Sequence, residues 1–176
     1  PDYRDIIDKY SCNGERIVVF GLANEQITGE AVTKAIIPMA FIILENEIRE
    51  TAKETFEYFK KQGVAIKVIS GDNPLTASKV AIRAGIDDAT HYIDATTLKT
   101  DKDIADAVQK YTVFGRVIPE QKKKIIEAFK MAGNVVAMTG DGVNDVLALK
   151  CADCSVAMAS GSEAASNAAQ IVLLDS

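Results

Sequence analysis

Several things are missing from this 176-residue sequence, and each absence closes a door. Its longest apolar run, Ala35 to Leu44, contains Pro38 and falls well short of the roughly 20 residues that span a bilayer. Three cysteines without a regular framework predict a reducing compartment. Cys151 and Cys154 have metal-pair spacing, but neither distant Cys12 nor the single histidine, His91, supplies a second ligand pair, so they read as small buried residues. His91 itself reads as an exposed loop residue rather than a general base. The net charge of −5, with no broad basic face apart from Lys122-Lys123-Lys124, excludes a nucleic-acid partner. The sequence has no signal-peptide pattern, no internal repeat and no P-loop signature G-x-x-x-x-G-K-[ST], so a P-loop NTPase is excluded.

What is present suffices for one domain, or one domain and a piece of another: 48% apolar residues for a core and 26% charged residues for a soluble surface. Asp2 to Tyr10 reads as a short helix. The β-branched run Ile17-Val18-Val19-Phe20 and the apolar run Lys34 to Leu44 read as strands, the second largely buried. Only the loop from Asn24 to Glu30 separates them, which predicts an antiparallel pair. The texture changes near Glu45. From Arg49 onward, short helices and short apolar strands alternate, predicting a mostly parallel sheet with helices on both faces. Predicted helices cover Arg49–Lys61 (a solvated face, closed by Gly63), Pro74–Arg83, Asp101–Lys110 with Asp101 as cap, Pro119–Met131, Val143–Lys150 and Ser162–Ala169. Predicted strands cover Val64–Ile69, Tyr92–Ile93, Thr112–Phe114, Asn134–Met138, Ser155–Met158 and Ile171–Leu174. Met131, Met138 and Met158 are placed in the core.

Three groups at strand ends carry chemistry. Thr139-Gly140-Asp141-Gly142-Val143-Asn144-Asp145 sets two carboxylates and an amide at the carboxyl end of a strand, where open parallel sheets bind ligands. The two glycines predict a sharp backbone turn. Hard oxygen ligands there suit Mg²⁺, which takes one or two carboxylates plus phosphate oxygens. Ser70-Gly71-Asp72 offers a hydroxyl and backbone N–H groups to a phosphoryl oxygen. An ordinary turn, with Ser70 bonded to its own backbone, fits that spacing equally well. Lys122 opens the helix after Pro119, where a lysine can neutralise transferring phosphate. Spacing alone does not choose among the three adjacent lysines.

Taken together, these segments resemble P-type cation-transporting ATPases of the haloacid-dehalogenase-like superfamily. Thr139–Asp145 followed by Ala148-Leu149 resembles their TGDGxND-x-x-AL motif, Ser70-Gly71-Asp72 their T/S-G-D motif, and Pro119-Glu120-Gln121-Lys122 their P-x-x-K stretch. Asn46-Glu47-Ile48-Arg49 stands where the family has a D-P-P-R hinge, with the arginine kept and the Asp and both prolines replaced. The resemblance implies a haloacid-dehalogenase-like Rossmann fold, α/β with a mostly parallel sheet, incomplete at its N-terminus and preceded by a short antiparallel strand pair. It implies that residues 1–45 are the end of a nucleotide-binding domain and 46–176 a phosphorylation domain.

The resemblance also assigns roles. Ser70, Lys122, Asp141, Asn144 and Asp145 are the catalytic set. Ser70, Gly71, Asp72 and Lys122 bind phosphate, and Asp141 holds Mg²⁺. Gly14-Glu15-Arg16-Ile17 resembles a G-x-R-V stretch, so Arg16 and Arg49 are the expected nucleotide contacts. The family's nucleophile, the Asp of D-K-T-G-T, does not occur in the sequence, nor does K-G-A-P. The expectation is therefore a cytoplasmic-side piece of a membrane pump. ATP and Mg²⁺ are its cofactors, and its cargo, carried by helices elsewhere, is a metal cation, since Met158–Ser162 and Ile171–Asp175 resemble bacterial pumps for metal cations; calcium is the ion expected, though these segments do not select it. Alone, the chain is expected to be inactive. Two alternatives are a soluble phosphatase of the same superfamily and an inert Mg²⁺-binding module that self-associates through unpaired sheet edges.

Overall fold

The computed structural model describes Tyr3, Arg4, Ile7, Tyr10 and residues 15–23, 36–45 and 47–174, apart from the Arg16 side chain. Arg4, Ile7 and Tyr10 are helical; the rest of the expected first helix, the loop from Asn24 to Glu30, Cys12 and Asn46 lie outside the described residues. Strands β1 (Arg16–Ala23) and β2 (Ile36–Leu44) form the expected antiparallel pair, running from Arg16 opposite Leu44 to Ala23 opposite Ile36. The expectation that the second run is largely buried is overturned. Ile37 is 50% exposed and Met39 62%, and Phe20 on the facing strand is 63% exposed. The reason is geometric: successive side chains point to opposite faces, both faces here are apolar, and a lone two-stranded sheet covers neither.

The remaining elements alternate: α1 (Ala52–Lys61), β3 (Val68–Ile69), α2 (Pro74–Ala84), β4 (Tyr92–Asp94), α3 (Asp101–Lys110), β5 (Val113–Gly115), α4 (Pro119–Met131), β6 (Ala137–Thr139), α5 (Val146–Cys151), β7 (Cys154–Met158), α6 (Glu163–Ala168) and β8 (Ile171–Leu173). Their ends follow from local chemistry. Helix α2 starts on Pro74, with the Asn73 side chain accepting from Leu75 N–H at 2.9 Å, and stops at Gly85, φ 87°. Helix α3 is capped by Thr100, not by Asp101 as expected. The Thr100 hydroxyl accepts from Asp103 N–H, and the Asp103 carboxylate accepts from Thr100 N–H. Asp101 is thereby free to pair with Lys124 at 2.7 Å. Helix α1 buries nothing and reads as the solvated helix expected of it.

The described parallel strands form two sheets, in the orders β3-β5-β4 and β6-β7-β8, rather than one. Both strands at the break are shorter than predicted. Of the run 64–69 only Val68–Ile69 is strand, and of the run 134–138 only Ala137 and Met138 are, in a strand that continues to Thr139. A strand gains most of its stability from its ladders, and each of these has one neighbour among the described residues. Helix α4 ties the halves together. Ile125 sits in a core with Phe114, Ile104 and Val108, while Ile126 sits in another with Met138, Leu149 and Ala157. Ile69 packs against both. Met131, expected in the core, ends α4 at 90% exposure; Met138 is buried as expected.

Gly115 packs so close to Pro74 that a side chain there would lie 2.6 Å from Pro74 Cβ. We expect Gly115→Ala to lower the unfolding free energy by about 2 kcal/mol, and Met131→Lys to change it by under about 0.5 kcal/mol, both read by urea titration. Asp153 is held below its ordinary carboxyl value of 3.8 by Val136 N–H and then by Lys130. A depressed native pKa contributes stability above the ordinary value that is lost as pH falls through the native one. The Asp153→Asn chain should therefore lose less stability than the parent on acidification below about pH 4, in the same titration repeated across pH.

Candidate functional site

Strand β6 delivers Thr139-Gly140-Asp141 to the carboxyl end of the second sheet, and a single 3-10 turn, Val143–Asp145, follows. The glycines act differently from the sharp turn expected of them. Gly142 has an ordinary φ of −97°, and no positive φ occurs at Gly140. Gly140 is needed for space: a Cβ there would lie 2.7 Å from Asp145 Cβ and 2.8 Å from its Cγ. Asp145 is thereby brought under the loop. One of its oxygens accepts Gly142 N–H at 3.2 Å and the other meets Lys122 Nζ at 2.6 Å. The Lys122 and Asp145 side chains are only 11% and 10% exposed. Among the three consecutive lysines, Lys122 is thus set apart. Lys123 reaches Glu127 and Lys124 reaches Asp101, both in solvent.

Asp141 is exposed, and no described residue bonds its carboxylate. Its backbone is fixed: its carbonyl accepts Ser162 N–H at 2.7 Å, and Gly161 lies against it closely enough that a Cβ would be 2.9 Å from Asp141 Cβ. Asn144 is exposed on the same turn. Among the described residues its side chain makes no hydrogen bond, so it is not joined to the Lys122–Asp145 pair.

Ser70, Gly71 and Asp72 follow β3 at the carboxyl end of the first sheet. Ser70 Oγ accepts Asp72 N–H at 3.1 Å and donates to Asp72 Oδ2 at 3.3 Å, the bonds of an ordinary turn. The loop is clamped from below by the segment after β5: Val117 N–H donates to the Ser70 carbonyl at 3.0 Å and Arg116 N–H to the Asp72 carbonyl at 2.7 Å. Arg116 adopts φ 53°, in the left-handed region, and its guanidinium meets Asp94 at 2.8 Å. Two Thr96 hydrogen bonds, then Arg116, hold the Asp94 carboxyl below its usual range. Sequence reading missed Arg116 and Gly161; nothing in a G-R-V or S-G-S triplet marks a strained backbone or a close approach.

The strand register sets Arg16 opposite Leu44, five positions before Arg49. Arg49 is exposed and lines a cleft of about 810 Å³ with Glu45, Glu50, Lys53 and Arg83. Arg83 spans it to Glu45 at 2.7 Å. Cys151 and Cys154 are free thiols, partly buried rather than buried as expected, and burial raises the Cys151 pKa. Among the described residues no helix is long and apolar enough to cross a membrane.

A family description, haloacid dehalogenase-like hydrolase, matches residues 8–153. The chain belongs to that family. Within it, the chain is homologous to P-type cation-transporting ATPases. It is 42% identical to a probable cation-transporting ATPase of Streptococcus pneumoniae, exp7, over 100% of this chain and 22% of that one. It is 43% identical to the calcium-transporting ATPase CtpE of Mycobacterium tuberculosis over 96% of this chain and 21% of that protein. In solved structures it resembles a zinc-transporting PIB-type ATPase in the E2.Pi state, at a TM-score of 0.63 and 21% identity, over 95% of this chain and 21% of that one. It also resembles the catalytic domain of the CPx-ATPase CopB-B, at 0.56 and 29%, over 78% and 47%. The chain spans about a fifth of the length of its curated relatives. The expected α/β haloacid-dehalogenase-like fold is the one observed.

Removing one partner of a buried ion pair strands the other charge. Lys122→Ala should cost about 3 kcal/mol in urea unfolding, and adding Asp145→Ala to it should cost less than the sum of the single changes.

Proposed function

We propose that this chain is the phosphate- and magnesium-binding part of the catalytic region of a P-type ATPase that couples ATP hydrolysis, through a phosphoaspartate, to cation transport. The observation that supports it is the arrangement at the end of β6: an exposed carboxylate, Asp141, with no partner among the described residues, beside an ion pair, Lys122–Asp145, withdrawn from water.

The donor set fits magnesium. A single unpartnered carboxylate at a strand end leaves the remaining positions to water and phosphate oxygens, which is how Mg²⁺ prefers to bind. Asp145 is not a ligand in this reading, because both its oxygens are engaged. When bound, magnesium supplies positive charge against the phosphoryl oxygens. Asp145 holds Lys122 in place, so that its ammonium faces a transferring phosphate without reorganising. Ser70 turns its hydroxyl from Asp72 to the phosphoryl oxygen, and the Gly71 and Asp72 amides border the same oxygen. Asn144 supports the reacting carboxylate from the turn. The nucleophile is an Asp outside these 176 residues.

Arg16 and Arg49 contact the nucleotide from residues 1–45 and the hinge, and residues 46–176 form the phosphorylation domain. The parent protein sits in the cell membrane with this region on the cytoplasmic side. Its cargo is a metal cation, with calcium favoured by the likeness to CtpE.

The test uses the longer polypeptide that includes D-K-T-G-T. Ser70→Ala, Lys122→Ala and Asp141→Ala should each lower the rate of phosphoenzyme formation from ATP by about 10²–10³-fold. The 176-residue chain alone, incubated with Mg²⁺ and acetyl phosphate, should gain no hydroxylamine-labile mass. Such an adduct would place the nucleophile within this chain and favour an autonomous phosphatase.

A further inference from the structure

The two side chains proposed to meet the phosphoryl oxygens come from opposite halves of the molecule. Ser70 bonds within its own loop at the end of β3, while Lys122 reaches from α4 to Asp145 beyond β6. Their separation decides whether both can meet one phosphoryl group, and a misplacement of about 1 Å can cost on the order of a hundredfold in rate. Both are tied to the same short piece of chain, the residues that follow β4.

The first tie runs through Arg116. Strand β4 ends at Asp94, opposite Gly115 of β5. Arg116, the residue after Gly115, has φ 53°, a left-handed backbone that a side chain disfavours and that its surroundings must hold. Its N–H donates to the Asp72 carbonyl at 2.7 Å, and its guanidinium donates to Asp94 Oδ2 at 2.8 Å. The other Asp94 oxygen, Oδ1, accepts the Thr96 N–H at 3.0 Å and the Thr96 hydroxyl at 2.7 Å. The Asp94 carbonyl accepts the Thr97 hydroxyl at 2.7 Å. One carboxylate thus caps the 3-10 turn Ala95–Thr97 and holds Arg116.

The second tie runs through Gln121, the residue before Lys122. Its amide donates to the Ala95 carbonyl at 2.9 Å and the Leu98 carbonyl at 3.4 Å, and its oxygen accepts the Ile118 N–H at 3.4 Å. Ala95 and Leu98 belong to the core shared by β5 and α4, so the turn that receives both ties is itself anchored.

We propose that Asp94 is a positioning residue: with the turn it caps, it sets the spacing between the Ser70–Asp72 loop and Lys122, to neither of which it is hydrogen-bonded. This rests on the function proposed above. Asp94→Asn keeps an oxygen for Thr96 but turns an amide toward the Arg116 guanidinium, and two donors do not bond. Gln121→Glu keeps the oxygen for Ile118 and loses the donor to Ala95.

The test uses the longer polypeptide that includes D-K-T-G-T, with acetyl phosphate as donor so that no nucleotide contact enters. Asp94→Asn and Gln121→Glu should each lower the maximal rate of phosphoenzyme formation by about tenfold or more, with KM for acetyl phosphate changed by under about threefold and the unfolding midpoint kept. Arg116→Gly added to Asp94→Asn should restore the rate to within about threefold of the parent, because glycine takes a left-handed φ with no side chain to hold it. In the 176-residue chain, Asp94→Asn should speed amide hydrogen exchange at Arg116 by about tenfold or more and leave Ile125 as protected as in the parent. Ser70→Ala is the control. If it lowers the rate and Asp94→Asn does not, or if Arg116→Gly restores nothing, the positioning role is overturned and the proposed function stands. If Ser70→Ala leaves the rate unchanged, the proposed function is overturned and the positioning role with it. A slower Asp94→Asn enzyme with a lowered unfolding midpoint and unchanged exchange at Arg116 assigns Asp94 to stability alone and also overturns the proposal.

Discussion

Lys122 and Asp145 meet at 2.6 Å with nearly all of both side chains withdrawn from water, and much of the candidate site exists to allow this. Two opposite charges in such a place are tolerable only when geometry and further hydrogen bonds compensate their lost hydration. Gly140 supplies the room and Gly142 N–H the additional bond. The consequence is a lysine that cannot wander. Its neighbours Lys123 and Lys124 hold partners in solvent, where an ion pair contributes little and side chains are mobile.

Helix α4 is the second organising element, because the pair hangs from its first turns. The same helix sends adjacent residues, Ile125 and Ile126, into separate cores, and its Gln121 reaches back to the Ala95 carbonyl at 2.9 Å. At the far end Lys130 binds the Cys151 carbonyl at 2.9 Å and Asp153. The two half-sheets are thus related through a helix rather than through a ladder.

Much of this was legible in the sequence wherever short-range chemistry decides. Pro119 and Pro74 marked helix starts to the residue, and Gly63 a helix end, because φ preferences act locally. Ser70, Lys122, Asp141, Asn144 and Asp145 could be placed at strand ends by the same logic. Their contacts could not: periodicity does not say that Asp145 turns inward to Lys122 while Asp141 stays outside. Burial of β2 was misjudged because apolarity predicts a demand for cover, not its presence. The starts of β3 and β6 were placed too early for a related reason, since strand propensity reports fit to a ladder and each strand has one ladder among the described residues.

The loops that follow β6 and β7 interlock. Asp141 gives its carbonyl to Ser162, and Gly161 fills the space a side chain would claim. Ser162 is also the cap of α6, its hydroxyl accepting Ala165 N–H at 3.2 Å. The backbone of Asp141 is therefore tied to the start of α6, and the same loop is tied through Ala159, which donates to the Leu173 carbonyl at 2.8 Å, to the outermost strand. The backbone that carries this acidic side chain is thus braced, bond by bond, as far as the opposite rim of the sheet.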